Sequence, residues 1–123
     1  MKKTENEKII LNFIFKELSK FNFKKQTKGF KYLCDAILIC IKDENALDNL
    51  SKYVFPKIAK RYNEKTPYNV KWCIEQVIKT MYNNTEIEVI CNYFNIDMNT
   101  KISLKFIVYT IVRNYNYSIN QNL

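Results

Sequence analysis

The sequence predicts an all-α protein, a compact six-helix domain that contains a helix-turn-helix. One Gly and two Pro among 123 residues leave little room for the tight turns of an all-β fold. Apolar residues recur at spacings of three and four without strict alternation, which is typical of the buried face of a helix. The length and a hydrophobic content of 47% suit one domain over residues 1–123.

The first two helices are indicated by a capping motif and by apolar stripes. Thr4 and Glu7 match the capping-box pattern, so the first helix is expected from Thr4 to about Phe21. The second helix is expected to follow Gly29 and to end near the loop at 43–45. The residues expected to face inward are Ile10, Phe13, Ile14 and Leu18, then Phe30, Leu33, Ala36, Ile37, Cys40 and Ile41.

The third and fourth helices form the predicted helix-turn-helix. The third is expected over Ala46–Tyr62, but Pro56 lacks a helical N–H, so the segment must kink there or restart as two short helices. The fourth is expected from Pro67 to about Asn83, because Thr66 is a good N-cap and Pro suits the first helical position. Many helical hairpins share this outline. The inward residues are Leu50, Val54, Ile58 and Tyr62, then Val70, Cys73, Ile74, Val77, Ile78 and Met81.

Two further helices complete the predicted domain. Thr85 is expected to cap a short helix that ends at Phe94, and a polar loop follows over 95–101. Ser103 is expected to cap the last helix, and residues 118–123 are expected to fray. The inward residues are Ile87, Ile90 and Phe94, then Phe106, Ile107, Thr110 and Ile111.

Composition argues against an enzyme, a metal site and a bound cofactor. The chain has no His, the commonest general base and metal ligand, and its four Cys show no C-x-x-C spacing. The expected role of Cys34, Cys40, Cys73 and Cys91 is to fill a core in a reducing compartment. The longest apolar run, 36–41, is too short to span a bilayer, and the N-terminus lacks a secretory pattern. A cytoplasmic protein without membrane partners is predicted.

The charge favours a polyanionic partner. The net charge is +8, and residues 1–30 alone carry eight Lys against three acids. Two clusters can reach phosphates, although a solvated surface is the alternative interpretation of each lysine. The clusters are Lys24, Lys25 and Lys28, and Lys57, Lys60, Arg61 and Lys65.

Two segments resemble a known family. Residues 28–37 (KGFxYLxxAI) and 54–63 (VFPxIAKxYN) are similar to the two signatures of the C-terminal effector domain of stage zero sporulation protein A. The resemblance extends over about residues 5–115. It implies an all-helical, cytoplasmic domain that binds double-stranded DNA through a helix-turn-helix, as a homodimer on tandem sites. In the family a phosphorylatable receiver precedes this domain; here the chain starts at the effector's first helix, so we expect no such switch within this polypeptide.

The recognition helix departs from the family. A Glu and two Arg that contact bases in the family fall on Lys71, Trp72 and Glu75. Because arginine forks read guanine and neither an indole nor a carboxylate replaces them, a different target is expected. The turn at 64–68 is one residue longer, which changes the expected docking angle. Lys101 lies near a basic position that approaches the phosphate backbone in the family.

The candidate DNA-binding residues lie on and around the outward face of the fourth helix. Trp72 is opposite the apolar stripe and is expected to be exposed, where it can pack on thymine methyls or anchor a protein interface. Asn69 and Gln76 can pair with adenine, Lys71 with guanine or a phosphate, and Glu75 with cytosine. The alternative for the polar residues is a solvated helix face. The full set is Lys60, Lys65, Thr66, Tyr68, Asn69, Lys71, Trp72, Glu75, Gln76, Lys79 and Lys101.

Two functions are therefore predicted as alternatives. The first is a sequence-specific DNA-binding transcription regulator whose target differs from that of the sporulation regulator. The second is a relative that has lost base reading and acts through protein contacts of the Trp72 face, as a partner or an inhibitor of a regulator. In the first, Lys60, Lys65 and Lys101 contact phosphates, and Asn69, Lys71, Trp72 and Glu75 contact bases.

Overall fold

Six α-helices form the protein in the computed structural model, which describes residues 4–121, and no strand occurs in that part of the chain. The predicted all-α class is therefore confirmed. The helices are α1 (Glu5–Leu18), α2 (Lys28–Lys42), α3 (Phe55–Arg61), α4 (Pro67–Asn84), α5 (Ile87–Phe94) and α6 (Leu104–Gln121). A 3-10 helix at Glu44–Asn49 and a π-helical turn at Leu50–Val54 join α2 to α3.

Helix α2 lies at the centre of the fold and packs against α1, α4 and α6. Ten of its 15 residues are buried, so it is not the one-sided amphipathic helix that its stripe predicts. Tyr32 and Leu38 are buried in addition to the expected residues, whereas Ile41 is only half-buried. A helix enclosed by three neighbours can be apolar on nearly all sides.

The start of α2 differs from the prediction because Gly29 lies inside the helix. Thr27 is the N-cap, and its hydroxyl accepts a hydrogen bond from the Phe30 N–H at 3.2 Å. Gly29 faces α4 so closely that a Cβ placed on it would lie 2.2 Å from the Cys73 carbonyl oxygen. The glycine therefore allows the two helices to touch backbone to backbone.

Helix α1 begins as predicted and ends earlier than predicted. The Thr4 hydroxyl accepts from the Glu7 N–H at 3.1 Å, and the Glu7 carboxylate accepts from the Thr4 N–H at 3.2 Å, which confirms the capping box. The helix ends at Leu18, not near Phe21. Phe21 is nevertheless buried, and its ring stacks on Phe94 with centroids 5.6 Å apart. The chain leaves the helix so that this ring can enter the core from a loop.

The segment predicted as a third helix over 46–62 is divided into short helices, and α3 begins at Phe55, next to Pro56. Only Phe55–Arg61 is α-helical, after the 3-10 helix and the π-helical turn. Pro56 lies in the first turn of α3, where a missing N–H breaks no intrahelical bond. Of the two outcomes that the proline allows, the structure has the short helices, with helical backbone at Val54 where the π-helical turn joins α3.

The predicted caps of α4 and α6 are confirmed, and the predicted cap of α5 is wrong. The Asn69 N–H donates to the Thr66 hydroxyl at 3.2 Å, and the Phe106 N–H donates to the Ser103 hydroxyl at 3.1 Å. Thr85 instead follows the end of α4, and its hydroxyl accepts from the Asn22 N–H at 2.9 Å. The first residue of α5 is Ile87, with no side-chain cap. A hydrogen bond from a distant residue thus occupies the Thr85 hydroxyl, which the local sequence predicts to be the cap of α5.

The core and its edge contain the residues predicted to face inward, except Ile87, which is half-buried and does not pack against the core. Most of the others are buried, and those that are half-buried lie at the edge: Phe13, Ile41, Leu50, Tyr62, Cys73 and Phe106. Helix α6 continues through residues 118–121, so the fraying of this tail stays a prediction, and residues 122–123 lie outside the described residues.

The four cysteines are free thiols: Cys34 and Cys40 lie in the core and Cys73 packs at its edge, whereas Cys91 is half-buried outside the core cluster. Burial raises the pKa of both Cys34 and Cys40 to about 12, which keeps these thiols protonated at neutral pH. Within residues 4–121, no group of three or more acidic or Cys side chains is placed to hold a metal ion. None of the helices in the same range combines the length and the apolarity needed to cross a membrane.

Candidate nucleic-acid interface

The turn between α3 and α4 has a defined backbone geometry. Asn63 takes the left-handed conformation, with φ of 59°, directly after the end of α3. The Glu64 N–H donates to the Ala59 carbonyl at 2.9 Å, and the Asn63 N–H donates to the Lys60 carbonyl at 3.4 Å. This pair of bonds is a Schellman motif with Asn in the position that Gly usually takes. It directs the chain into the N-cap of α4.

Two tyrosine–carboxylate pairs bind this turn to α2. The Tyr32 hydroxyl donates to the Glu64 carboxylate, and the Lys28 ammonium lies 3.6 Å from the same carboxylate oxygen. The Tyr62 hydroxyl donates to Asp35, which is 4% exposed, and the rings of Tyr32 and Tyr62 lie 5.2 Å apart. These contacts fix the start of α4 relative to the central helix.

In both pairs the tyrosine is protonated at neutral pH, as its hydrogen bond to the carboxylate requires. Burial and the hydrogen bond to Asp35 raise the pKa of Tyr62 to about 12, and burial and Glu64 raise the pKa of Tyr32 as well. The hydrogen bond from Tyr32, with help from Lys28, lowers the pKa of Glu64. Neutral phenols therefore donate to an ionised Glu64 and to Asp35. Sequence reasoning missed this network; its one local signal is a lone carboxylate, Asp35, inside the apolar run at 33–41.

The Glu64 pair predicts an acid-dependent stability. Because its folded pKa is lowered, Glu64 stabilises the fold above its unfolded pKa of about 4.3, and this contribution disappears as the pH falls through the folded pKa. Glu64→Gln is expected to lower the free energy of unfolding at pH 7 and to approach the wild type below about pH 4. Urea unfolding from pH 3 to 7 measures this, with the exposed Glu88→Gln as the control. A Glu64→Gln deficit that does not change with pH would contradict the assignment.

The outward face of α4 is polar and aromatic. Tyr68 is 69% exposed and Trp72 is 51% exposed, as the sequence predicts for Trp72. Glu75, Gln76 and Lys79 are also exposed, whereas Asn69 and Lys71 are half-buried. The hydroxyl of Thr66 is occupied as the N-cap. With no acid in its first turn, the N-terminus of α4 presents the positive end of the helix dipole.

A basic groove borders one side of this face. Trp72 and Gln76 line it together with Lys24, Thr27 and Lys28, from the loop between α1 and α2 and from the start of α2. Its volume is about 220 Å³, and Gly29 is part of its lining. The close contact at Gly29 therefore brings this lysine-bearing segment next to Trp72.

A second basic groove, of about 500 Å³, borders the other side. Lys71 and Glu75 line it opposite Lys52, from the π-helical turn, and Lys105, from the start of α6. The Lys105 ammonium lies 3.4 Å from Asp48, an exposed pair that leaves the ammonium open to solvent. Sequence reasoning missed Lys52 and Lys105, because residues so far apart in the chain come together only through helix packing.

The three lysines predicted to contact phosphates, Lys60, Lys65 and Lys101, do not all lie beside the outward face of α4. Lys65 is exposed in the turn beside Thr66. Lys101 precedes Ile102, whose N–H lies 3.4 Å from the Tyr82 hydroxyl near the C-terminal end of α4. Lys60 lines a groove between α2 and α3 that includes no residue of α4. The structure thus places most of the predicted set together along α4, with Lys101 and Lys60 apart.

This arrangement suits a helix that enters the major groove. The exposed helix face carries hydrogen-bonding side chains and an indole, and lysines flank it on both sides, where the two phosphate backbones of a duplex would lie. A family model described as "Sporulation initiation factor Spo0A C terminal" matches residues 14–113. The matched part includes all of α2 to α5, the turn before α4 and both basic grooves.

Proposed function

The chain belongs to the sporulation initiation factor Spo0A C-terminal family, the DNA-binding effector domain of a sporulation transcription regulator, and we propose its function from this premise. In this proposal the protein is a sequence-specific DNA-binding regulator whose target differs from that of the sporulation regulator. The observation that carries the proposal is the outward face of α4 between two lysine-lined grooves. The proposal includes action in the cytoplasm and binding to double-stranded DNA, with a homodimer on tandem sites.

Each part of the face has a role in this proposal. Lys71, Trp72 and Glu75, which stand where the family resemblance expects a Glu and two Arg, contact base edges together with Asn69 and Gln76. Tyr68 packs on a sugar or a base, and Lys79 offsets the charge of Glu75. The phosphate contacts are assigned to Lys60, Lys65 and Lys101, as predicted from sequence, and to the groove lysines Lys24, Lys28, Lys52 and Lys105.

Selection from a random duplex pool tests this function. The purified protein is mixed with the pool at near-physiological salt, and the bound duplexes are sequenced. An enriched motif supports a specific regulator. Binding without enrichment that fades steeply with salt indicates only attraction to the backbone, and no binding contradicts the proposal.

Single substitutions on α4 test the assignment of base contacts. Lys71→Ala and Trp72→Ala are each expected to weaken binding to the selected motif by about 5- to 150-fold and to relax its sequence preference, since each removes a contact worth roughly 1–3 kcal/mol. The exposed Lys16→Ala on α1 is the control. If both variants selected the same motif as the wild type, α4 would not be the helix that contacts the bases.

A second candidate function is supported by the two exposed aromatic rings. Tyr68 and Trp72 are one helical turn apart, and exposed aromatic residues of this kind anchor protein interfaces. In this alternative, the chain acts as a partner or an inhibitor of another effector domain. It predicts a complex with such a domain that survives salt sufficient to remove DNA, and mixing the two proteins over a salt series tests it.

A further inference from the structure

A third groove lies between α2 and α3, outside the face of α4 that is proposed to contact bases, and Lys60 is the residue that it shares with the proposed phosphate contacts. It has a volume of about 720 Å³ and shares no lining residue with the two grooves beside α4. Its apolar lining comes from Leu38 and Ile39 on α2, Ile58 on α3, and the rings of Tyr53 and Tyr62. We call this surface the α2–α3 groove. A cleft of this size with an apolar floor is large enough to receive several side chains.

One wall of the α2–α3 groove carries unneutralised cations. Lys57, Lys60 and Arg61 of α3 are exposed, and the ion pairs within residues 4–121 are formed by other lysines. Lys57 lies 5.3 Å from the centre of the Tyr53 ring, and Arg61 lies 5.6 Å from that of Tyr62. These ring contacts hold the two cations at the edge of the apolar floor.

Three acids line the same groove and offset its cations only in part. Glu7 pairs with Lys42 at 2.7 Å, and the Tyr62 hydroxyl donates to Asp35. Asp43 accepts a hydrogen bond from the Asn45 N–H at 3.0 Å. Asp35 and Asp43 keep their charge, but the cations that line the α2–α3 groove outnumber its acids by four to three, so the groove presents an apolar floor beside a net positive charge.

We propose that the α2–α3 groove binds an acidic amphipathic helix of a partner protein. Apolar side chains at helical spacing fill the floor, and Glu or Asp side chains of the partner face Lys57 and Arg61. The exposed Tyr53 ring and the half-buried Ile39 and Tyr62 offer apolar surface to such side chains, and a sugar-phosphate backbone gains nothing from that surface. The cationic wall selects an acidic helix over a basic one. This interaction goes beyond DNA binding and does not depend on it.

A peptide selection tests the proposal. A displayed library of random peptides of about 16 residues, long enough for four helical turns, is selected against the full chain. Enriched peptides are expected to combine apolar residues at i, i+3 or i+4, and i+7 with several Glu or Asp. No enrichment, or enrichment of basic peptides, would overturn the proposal.

Matched variants locate the bound peptide. Lys57→Ala/Arg61→Ala is expected to weaken binding of the enriched peptide at least about tenfold, as measured by fluorescence anisotropy. Lys16→Ala/Arg113→Ala, which removes the same two side-chain types from exposed positions on α1 and α6, is expected to leave it unchanged. Lys57→Gln/Arg61→Gln keeps part of each aliphatic stem on its ring and serves if the alanine variant is unstable. Equal binding by the wild type and both groove variants would overturn the proposal.

A competition experiment separates the groove from DNA binding. Lys60 stays unchanged in these variants, because the proposed function assigns it to phosphate. Saturating duplex DNA is expected to leave the peptide affinity within about twofold, since the peptide is assigned to Lys57 and Arg61, the groove shares no lining residue with the two grooves beside α4, and Lys60 is the one lining residue also assigned to DNA. Displacement of the peptide by DNA would make the groove a nucleic-acid contact and overturn the proposal. A protein that binds no DNA but retains the peptide would contradict only the proposed regulator function.

Discussion

Gly29→Ala is expected to lower the free energy of unfolding by about 3 kcal/mol or more, although alanine is the better helix former. The added Cβ would lie 2.2 Å from the oxygen and 2.9 Å from the carbon of the Cys73 carbonyl. Both are backbone atoms, which cannot turn away as the end of a flexible side chain can. Helices α2 and α4 must therefore separate, and the buried contacts on either side of the crossing are weakened together.

Helix propensity and packing predict opposite signs for this substitution. Propensity alone gives a gain of about 1 kcal/mol for alanine over glycine inside a helix. Urea unfolding followed by circular dichroism gives the difference directly, and the exposed Asn12→Ala on α1 is the control, with an expected change within about 0.5 kcal/mol. A Gly29→Ala variant as stable as the wild type would contradict the backbone contact between α2 and α4.

Local sequence determines the helix starts that were predicted correctly. The hydroxyls of Thr4, Thr66 and Ser103 each accept a hydrogen bond from an N–H three residues later, so only a few consecutive residues decide the cap. The apolar stripes were equally predictable, because a helix with solvent on one side buries one face. The division of the third predicted helix next to Pro56 belongs to the same class, since it follows from a missing N–H.

Features that depend on distant residues were not predictable in the same way. Thr85 bonds Asn22 across 63 positions, and Gly29 is explained only by Cys73 on another helix. The lysines of the two basic grooves come from four separate segments of the chain. Neither periodicity nor spacing reports such long-range packing, which is why Lys52 and Lys105 were absent from the predicted site.

Two added acids on α4 are expected to remove DNA binding while preserving the fold. Asn69→Asp/Gln76→Glu changes no side-chain size and lowers the net charge by two. Aspartate at position 69, in the first turn of α4, is also favourable for the helix dipole. A carboxylate about 5 Å from a phosphate costs roughly 1–3 kcal/mol, according to the local dielectric, so the pair should weaken binding at least about 30-fold.

The control for this variant carries the same charge change on other helices. Asn12→Asp/Asn92→Asp places both acids at exposed positions of α1 and α5. Binding to the selected duplex at fixed salt is expected to fall only a few-fold in the control, because a screened charge far from the duplex acts weakly. Equal losses in the two variants would mean that net charge alone drives binding and that α4 is not the DNA-reading helix.

The same pair of variants distinguishes the two candidate functions. A duplex places phosphates beside the face of α4, so carboxylates there are repelled whatever the base sequence. A protein partner held by Tyr68 and Trp72 presents no such continuous negative charge, and the acids at 69 and 76 leave both rings in place. Loss of DNA binding in the α4 variant alone therefore supports the regulator. The protein-contact alternative is supported if the wild type binds no DNA specifically and the complex with a partner protein persists in the α4 variant.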